Sequence, residues 1–243
     1  MKEPKHKGIL DQGYSTDRNN KPELRFRLSV RAGLVADALE RYSTSTSGLR
    51  ILDLGAAEGK TVLKMNELLP GNEFTGVEYS KELIDLADGL PGNISLVHGD
   101  AMRLPGALST TRFDVVSALA VLEHLKTPLD AVLQAYEVLK PGGFFVATCP
   151  VPTWDHISQK LGLLKDDQHE KEMDKGLLTR VVSDAGLELI EYRKFMWAPI
   201  SFMPYLHVPI SPASSIKCDR LIESFKILNW LFVNQVVIGR KPS

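Results

Sequence analysis

Short apolar runs alternate with helical patterns five times between residues 49 and 148, and this alternation limits the fold more than any other feature of the chain. Each run is four to six residues long and largely apolar, as expected for strands that are buried on both faces. The alternation predicts a parallel sheet covered by helices on both faces and joined by right-handed crossovers. The predicted strands are Leu49–Leu54, Glu73–Val77, Ile94–Val97, Phe113–Ala118 and Phe144–Thr148.

The sequence outside this alternation contains no clear linker. Residues 1–47 are predicted to form a polar arm, up to about Glu23, and then a helix that ends near Tyr42. Residues 48–243 are predicted to form the main domain, with an apolar, proline-rich insertion at about 196–217. Beyond residue 150 the domain is expected to add a helix over Leu177–Ala185, a strand over Leu187–Phe195, a short helix over Asp219–Leu228 and a last strand over Leu231–Ile238.

Composition excludes several classes of protein. The chain has 243 residues, with 29 basic and 30 acidic side chains, and binding along nucleic acid would require a more basic face. Two cysteines, Cys149 and Cys218, provide no disulfide framework, so we expect a cytoplasmic protein. The first ten residues lack the apolar core of a secretory signal. The longest charge-free run, Phe195–Ile216, contains four prolines, which argue against a membrane-spanning helix.

The turn after the first predicted strand, Asp53–Thr61, limits which ligand the sheet edge could bind, because ligands of such sheets bind beyond the carboxyl ends of the strands. A dinucleotide fingerprint needs glycine at positions where this chain has Ala57 and Lys60. A phosphate-binding P-loop needs glycine where Leu54 stands. The carboxylate of Asp53 would also repel a phosphate at either kind of site.

Acidic residues end three successive predicted strands: Asp53, Glu78 and Asp100. A single acid at a strand end is often only a solvated turn residue, but three at one sheet edge would attract a cationic ligand. S-adenosylmethionine is such a ligand, because it carries a sulfonium, an ammonium and ribose hydroxyls but no phosphate. Glu78 follows Asp53 by one strand–helix–strand unit, where an acid can accept hydrogen bonds from two ribose hydroxyls.

Six short motifs occur in order along this part of the chain. They are Ile51–Gly59 (ILDLGAAEG), Gly76–Ser80 (GVEYS), His98–Pro105 (HGDAMRLP), Phe113–Val116 (FDVV), Leu122–Leu125 (LEHL) and Leu139–Gly143 (LKPGG). Through these motifs the chain resembles the class I S-adenosylmethionine-dependent methyltransferases, of the type that includes the quinone-biosynthesis methyltransferases. The resemblance is strong over residues 48–150 and weaker over 179–195 and 234–242.

The resemblance implies an α/β fold, a Rossmann-like, doubly wound, mostly parallel sheet of seven strands with the last strand antiparallel. It also implies that S-adenosylmethionine is the cofactor, with its methionine end near Gly55 and Gly59, its ribose on Glu78 and its adenine on Asp100. The family often has glycine where this chain has Ala57, and the extra methyl group is tolerable where that backbone is not left-handed. The implied cofactor-binding residues are Asp53, Gly55, Ala56, Ala57, Gly59, Glu78, Tyr79, Asp100, Ala101, Met102, Ser117, Ala118 and Leu119.

Three histidines are candidates for a general base. His124 follows the fourth predicted strand, although the family has this histidine whatever the acceptor, which also fits a structural role. His156 and His169 follow the fifth strand and could equally be solvated loop residues. Their spacing matches no metal-binding pattern, so we predict no metal. Methylation of nucleic-acid bases is disfavoured, because residues 117–120 read SALA rather than the tetrad or the Pro-Cys pair of such enzymes.

An apolar, aromatic segment, Met196–Leu206, has three possible roles. It could cover the pocket of an apolar acceptor, touch a membrane or a partner, or pack over the open edge of the sheet. The first possibility predicts a small, apolar or lipid-linked acceptor that is methylated at oxygen or carbon. A sugar or glycan-precursor methyltransferase and a non-catalytic binding partner remain alternatives. The candidate acceptor-binding residues are Tyr14, Trp197, Phe202 and Tyr205.

Overall fold

The structure is a computed structural model that describes residues 20–160 and 170–243, together with Gly13. Within these residues the chain forms a seven-stranded sheet in the order β3-β2-β1-β4-β5-β7-β6. Only β7 is antiparallel to its neighbours, so the predicted sheet with an antiparallel last strand is confirmed. The strands are β1 Arg50–Leu54, β2 Glu73–Glu78, β3 Ile94–His98, β4 Phe113–Leu119, β5 Leu139–Pro150, β6 Glu188–Trp197 and β7 Phe232–Arg240.

Nine α-helices lie within the described residues. No helix in this part of the chain is both long enough and apolar enough to cross a membrane. Three 3₁₀ turns, at Leu122–His124, Met203–Leu206 and Lys226–Leu231, complete the described elements. The α-helices are α1 Pro22–Tyr42, α2 Lys60–Leu68, α3 Lys81–Ile84, α4 Gly106–Ser109, α5 Pro128–Val138, α6 Pro152–Lys160, α7 Lys175–Asp184, α8 Ala198–Ser201 and α9 Pro212–Glu223.

The helices bury the sheet from both sides. Helices α1, α2 and α9 share a core with one face, which includes Ile51 of β1, and α5 and α7 share a core with the opposite face, which includes Leu52. Successive residues of a strand point to opposite faces, so an almost wholly apolar run such as β1 supplies both cores. The sequence pattern therefore places β1 in the middle of the molecule.

Strand β1 is also the point where the strand order reverses, because it pairs with β2 on one side and with β4 on the other. We call the edge at which the parallel strands β1 to β5 end the rim. At the rim, Asp53 lies beside Gly76 of β2 and Ser117 of β4, and Glu78 lies beside His98 of β3. The register therefore brings the ends of β1, β2 and β3 into one row.

Several helices differ from the sequence-based expectations. Helix α1 begins at Pro22, inside the predicted arm, and α6, which begins at Pro152, was not predicted. The helix expected over Asp219–Leu228 lies earlier in the chain and begins at Pro212. In all three the proline is the first helical residue, where its fixed φ and missing N–H suit a helix start. Ser80 caps α3, since its hydroxyl accepts a hydrogen bond from the Leu83 amide at 3.3 Å.

Candidate active site

Asp53 is held rigidly at the end of β1. Its side chain is buried, and the Ser117 hydroxyl donates a hydrogen bond of 2.6 Å to its Oδ1. Ser117 and Ala118 are fully buried at the end of β4, and Leu119 is 9% exposed. The end of β4 therefore packs against the end of β1 at the rim, and the Ser117 hydroxyl fixes the orientation of the Asp53 carboxylate.

The turn after β1 folds tightly back against β2. The amides of Gly55 and Ala56 both donate to the Val77 carbonyl, at 2.8 and 3.0 Å. Gly55 has a φ of +73°, and a Cβ at this position would lie 2.5 Å from a methyl group of Val121. Gly59, with a φ of +81°, is the N-cap of helix α2. The left-handed backbone of the turn thus favours glycine at both positions, and at Gly55 the neighbouring Val121 side chain leaves no room for a Cβ.

Ala57 is left-handed, with a φ of +49°. The condition under which a methyl group would be tolerated here without strain, a backbone that is not left-handed, is therefore not met. Its amide donates a hydrogen bond of 2.8 Å to Oε2 of Glu78, a buried contact that holds the residue in this conformation. A left-handed non-glycine residue costs about 1–2 kcal/mol, so the surrounding hydrogen bonds must offset this strain.

Glu78 connects the turn to the end of β2. Its carboxylate is 9% exposed and accepts two backbone hydrogen bonds, from the Ala57 amide and from the Ser80 amide at 2.7 Å. Gly76, two residues earlier, lets the turn approach, because a Cβ there would lie 2.5 Å from the Cβ of Ala56. A carboxylate oxygen that accepts one hydrogen bond has a further lone pair, so Glu78 could still accept from ribose hydroxyls.

Asp100 lies beyond the end of β3, next to Glu78 along the rim. Its Oδ1 accepts a hydrogen bond of 2.8 Å from the amide of Met102, and Ala101 between them is buried. Tyr79 follows Glu78 and is about half exposed, and its carbonyl lies 2.9 Å from Nε2 of His98. An exposed ring beside a row of carboxylates offers an apolar surface at the same edge.

The rim therefore suits a cationic, phosphate-free nucleoside. Asp53, Glu78 and Asp100 lie at the ends of β1, β2 and β3, which are neighbours in the sheet. The turn after Asp53 has small residues at positions 55–57, and Gly55 is its exposed residue, whereas residues 56–59 are buried. These residues fit S-adenosylmethionine, because negative charge lines the rim where a phosphate-binding site would offer positive charge.

The candidate bases lie in different surroundings. His124 ends the 3₁₀ turn Leu122–His124 that follows β4 at the rim, and it is half-buried. His156 lies on α6 and is largely exposed, and its Nε2 lies 3.3 Å from Oε1 of Glu172. His169 lies outside the described residues. Among residues 20–160 and 170–243 no group of three His, Cys, Asp or Glu side chains could hold a metal ion.

Sequence reasoning missed a buried acid beside His124. Glu123 is 2% exposed, and its carboxylate is hydrogen-bonded to the buried thiol of Cys149 near the end of β5. Burial, followed by the charge of Glu123, raises the pKa of the Cys149 thiol well above its usual value. A charged residue inside the LEHL motif was a signal for this pair, but only the fold brings Glu123 to Cys149.

The candidate acceptor-binding residue Trp197 is the last residue of β6. Because β6 runs parallel to β5, Trp197 lies at the same edge of the sheet as the rim. Phe202 and Tyr205 are partly exposed, and their rings lie 5.6 Å apart. The Tyr205 hydroxyl accepts a hydrogen bond of 3.3 Å from Arg27 of α1. Tyr14 lies outside the described residues.

A second missed acid fixes the start of this aromatic segment. Asp219 of α9 is fully buried, and its carboxylate accepts hydrogen bonds from the amides of Met196 at 2.7 Å and Trp197 at 3.0 Å. Met196 is left-handed, with a φ of +60°. Burial raises the pKa of Asp219, although the two amides lower it. The segment thus leaves β6 in a conformation that one buried carboxylate stabilises.

Comparison with known proteins agrees with this geometry. A family model described as a methyltransferase domain matches residues 27–192. An uncharacterised methyltransferase of Schizosaccharomyces pombe is 34% identical over 106 residues, which cover 39% of this chain and 37% of that protein. A ubiquinone biosynthesis O-methyltransferase of Burkholderia pseudomallei is 25% identical over 171 residues, which cover 63% of this chain and 71% of that protein.

Among solved structures, the plantazolicin methyltransferase in complex with SAH has a TM-score of 0.64 at 14% identity, over 94% of this chain and 88% of that chain. An identity this low shows the common fold alone. The family model matches more than half of the chain, and the sheet has the seven strands and the antiparallel last strand that the resemblance implies. S-adenosylmethionine is therefore the cofactor, and the chain belongs to the class I S-adenosylmethionine-dependent methyltransferases.

Proposed function

We propose that the protein transfers the methyl group of S-adenosylmethionine to a small, apolar or lipid-linked acceptor, at oxygen or carbon. The observation that carries the choice of acceptor is the aromatic segment at the sheet edge beside the rim, where Trp197, Phe202 and Tyr205 lie within nine residues. Acceptor pockets are mostly apolar with aromatic walls, so this segment favours an apolar acceptor. The relative from Burkholderia pseudomallei, a ubiquinone biosynthesis O-methyltransferase, supports the same class of acceptor.

On this proposal the cofactor lies along the rim. Glu78 would accept hydrogen bonds from the ribose hydroxyls, and Asp100, whose carboxylate the Met102 amide holds in place, would bind the adenine. The turn at Gly55 would face the methionine end. The support for these roles is geometric: the Glu78 carboxylate is fixed by two backbone amides, and the Asp53 carboxylate by the Ser117 hydroxyl. Groups that are already fixed lose little conformational entropy when the ligand binds.

When bound, the cofactor supplies a methyl group activated by its positively charged sulfur. The protein then has to orient the acceptor for in-line attack, and such positioning can contribute about 7–11 kcal/mol to the rate. A hydroxyl acceptor also needs a base that removes its proton, a role worth about 10²–10⁴ in rate. We assign this role to His124, because it lies at the rim, whereas His156 is exposed and contacts Glu172.

The acceptor class can be tested with labelled cofactor and a matched pair of acceptors. The full chain would be incubated with tritium-labelled S-adenosylmethionine and either a catechol that carries an isoprenoid tail or the same catechol without the tail. We expect label in the tailed catechol at the higher rate. Transfer only to a sugar nucleotide would favour the glycan-precursor alternative, and absence of cofactor binding at millimolar concentration would favour the non-catalytic one.

The base can be tested on the same reaction. His124→Asn should lower kcat by about 10²–10⁴-fold, with cofactor affinity unchanged, and should remove the histidine limb of the pH–rate profile. His156→Asn is the control, and its kcat should stay close to that of the wild type. A His124→Asn enzyme that keeps its rate and pH profile would show that this histidine is structural.

A further inference from the structure

Ten residues near the carboxyl end of the chain expose four large apolar side chains, which we call the apolar ridge: Leu221, Phe225, Ile227 and Trp230. Their exposed fractions are 66%, 57%, 82% and 66%. Single exposed apolar residues are common on protein surfaces, but four of this size within one short segment are not. The ridge is distinct from the aromatic residues Trp197, Phe202 and Tyr205 proposed to bind the acceptor.

The ridge is built on ordered backbone. Leu221 lies in the last turn of α9, and Ile227 and Trp230 lie in the 3₁₀ turn Lys226–Leu231. The Trp154 indole of α6 donates a hydrogen bond of 3.0 Å to the Trp230 carbonyl, and the Leu228 amide donates to the Phe225 carbonyl at 2.9 Å. The ridge side chains therefore stand outward on a fixed frame.

Acidic and basic side chains of the segment that carries the ridge, residues 198–231, differ in how far they are exposed. Within residues 198–231 both acids point inward: Asp219 is fully buried, and Glu223 is half-buried and accepts a hydrogen bond from the Lys194 amide. The charged side chains of this segment that are exposed are two lysines, Lys217 and Lys226. Lys217 lies one helical turn before Leu221, and Lys226 precedes Ile227. The outer face of the segment is thus apolar and cationic.

The ridge also lies at the edge of the sheet that carries the rim. The turn Lys226–Leu231 leads directly into Phe232, the first residue of β7. Because β7 is antiparallel, its first residues lie beside the end of β5, where Asn234 pairs with Pro150. A surface that covered the ridge would therefore meet the molecule at the edge where the parallel strands end.

We propose that the apolar ridge docks the protein on an anionic lipid surface, with its four apolar side chains in the acyl boundary and the two lysines among the headgroups. Interfacial segments combine exposed Trp, Phe and Leu with Lys in this way, and each lysine near an anionic surface adds attraction. A second copy of the chain fits the ridge less well. Docking ridge to ridge would bring lysines together without an exposed acid of this segment to neutralise them.

The proposal can be tested by sedimentation of the full chain with vesicles, without cofactor or acceptor. We expect binding to vesicles of phosphatidylcholine with phosphatidylglycerol, at least about tenfold weaker binding to phosphatidylcholine alone, and a blue shift of tryptophan emission on binding. The double variant Ile227→Glu/Trp230→Glu should weaken binding at least about tenfold, because it places charge in the acyl boundary. Leu133→Glu on α5, at a side chain that is 39% exposed, is the matched control and should bind as the wild type does.

A separate variant keeps the test independent of folding. Lys217→Gln/Lys226→Gln leaves the apolar side chains in place and should reduce the preference for anionic vesicles. Failure of the wild type to bind vesicles, or equal binding by the Ile227→Glu/Trp230→Glu variant, would overturn the proposal. A dimer that is seen by sedimentation velocity and that the Ile227→Glu/Trp230→Glu variant dissociates would also overturn the proposal. Because no methyl transfer is measured, failure of the proposed acceptor class would leave this result unaffected.

Discussion

Replacement of Glu78 by glutamine should weaken cofactor binding strongly. The carboxylate is almost fully buried and accepts hydrogen bonds from the amides of Ala57 and Ser80. Its remaining lone pairs are proposed to accept hydrogen bonds from the ribose hydroxyls. Glutamine has the same shape but no charge, and only one of its two terminal groups can accept a hydrogen bond. Loss of charge-assisted hydrogen bonds to the ribose costs about 1.5–3 kcal/mol. The dissociation constant of S-adenosylmethionine should therefore rise about 10- to 150-fold.

The same substitution should also destabilise the folded protein. One of the two backbone amides loses its acceptor, so we expect the free energy of unfolding to fall by about 1.5–3 kcal/mol. Calorimetric titration with S-adenosylmethionine measures the first effect, and urea denaturation without ligand measures the second. Titrations should be run at a temperature at which circular dichroism shows the variant to be folded.

Glu73→Gln is the matched control, because Glu73 begins the same strand at the opposite edge of the sheet. Its side chain is 72% exposed and pairs with Arg50 at 3.3 Å, and such exposed pairs contribute about 0–1 kcal/mol. Cofactor affinity of this control should match that of the wild type. An unchanged affinity in folded Glu78→Gln, or an equal loss in both variants, would refute the assignment of the ribose to Glu78.

Three further predictions follow from the turn and the buried groups. Gly55→Ala should lower the free energy of unfolding by at least about 2 kcal/mol in urea denaturation, because it adds a left-handed alanine and a clash with Val121. Cys149 should not react with a thiol reagent in the folded protein at pH 8, because it is buried and burial raises its pKa. The partly exposed Cys218 should react, and two fast-reacting thiols would contradict this prediction. Burial raises the pKa of Asp219, so the folded state binds its proton at a higher pH than the unfolded chain does. Wild type should therefore gain stability relative to Asp219→Asn as the pH falls through that raised pKa, and a constant difference between about pH 7 and pH 4 would contradict it.

The sheet could be predicted from the sequence because its strands are short apolar runs between clear turn signals. The alternation indicated the parallel core, and the six motifs implied its antiparallel last strand, as the structure confirms. The row of Asp53, Glu78 and Asp100 followed as well, since equivalent ends of parallel strands meet at one edge. Local patterns were sufficient here because each strand is buried on both faces.

Helix starts were predicted less well, because a proline at the first helical position is not by itself a clear start signal. Pro22, Pro152 and Pro212 each begin a helix, and the Ser211 hydroxyl caps the last of these by accepting from the Ser214 amide at 3.0 Å. Pro128 likewise begins α5, with Thr127 at the N-cap and Asp130 in the first turn. Proline is favourable at the first helical position and disruptive only further inside, so the residues beside it decide its effect.

The buried carboxylates could not be predicted, since their partners lie far along the chain. Asp219 accepts backbone hydrogen bonds from residues 196 and 197, and Glu123 contacts Cys149. The left-handed conformation of Ala57 depends in the same way on Glu78. Each of these features arises from a tertiary contact that no local pattern encodes.

A crystal structure of the protein grown with S-adenosylhomocysteine would test most directly whether the carboxylates of the rim bind the cofactor. We expect the ribose hydroxyls within hydrogen-bond distance of Glu78, the adenine beside Asp100 and the homocysteine end over residues 55–59. A ligand bound elsewhere, or a ribose out of reach of Glu78 in a fully occupied site, would contradict this arrangement.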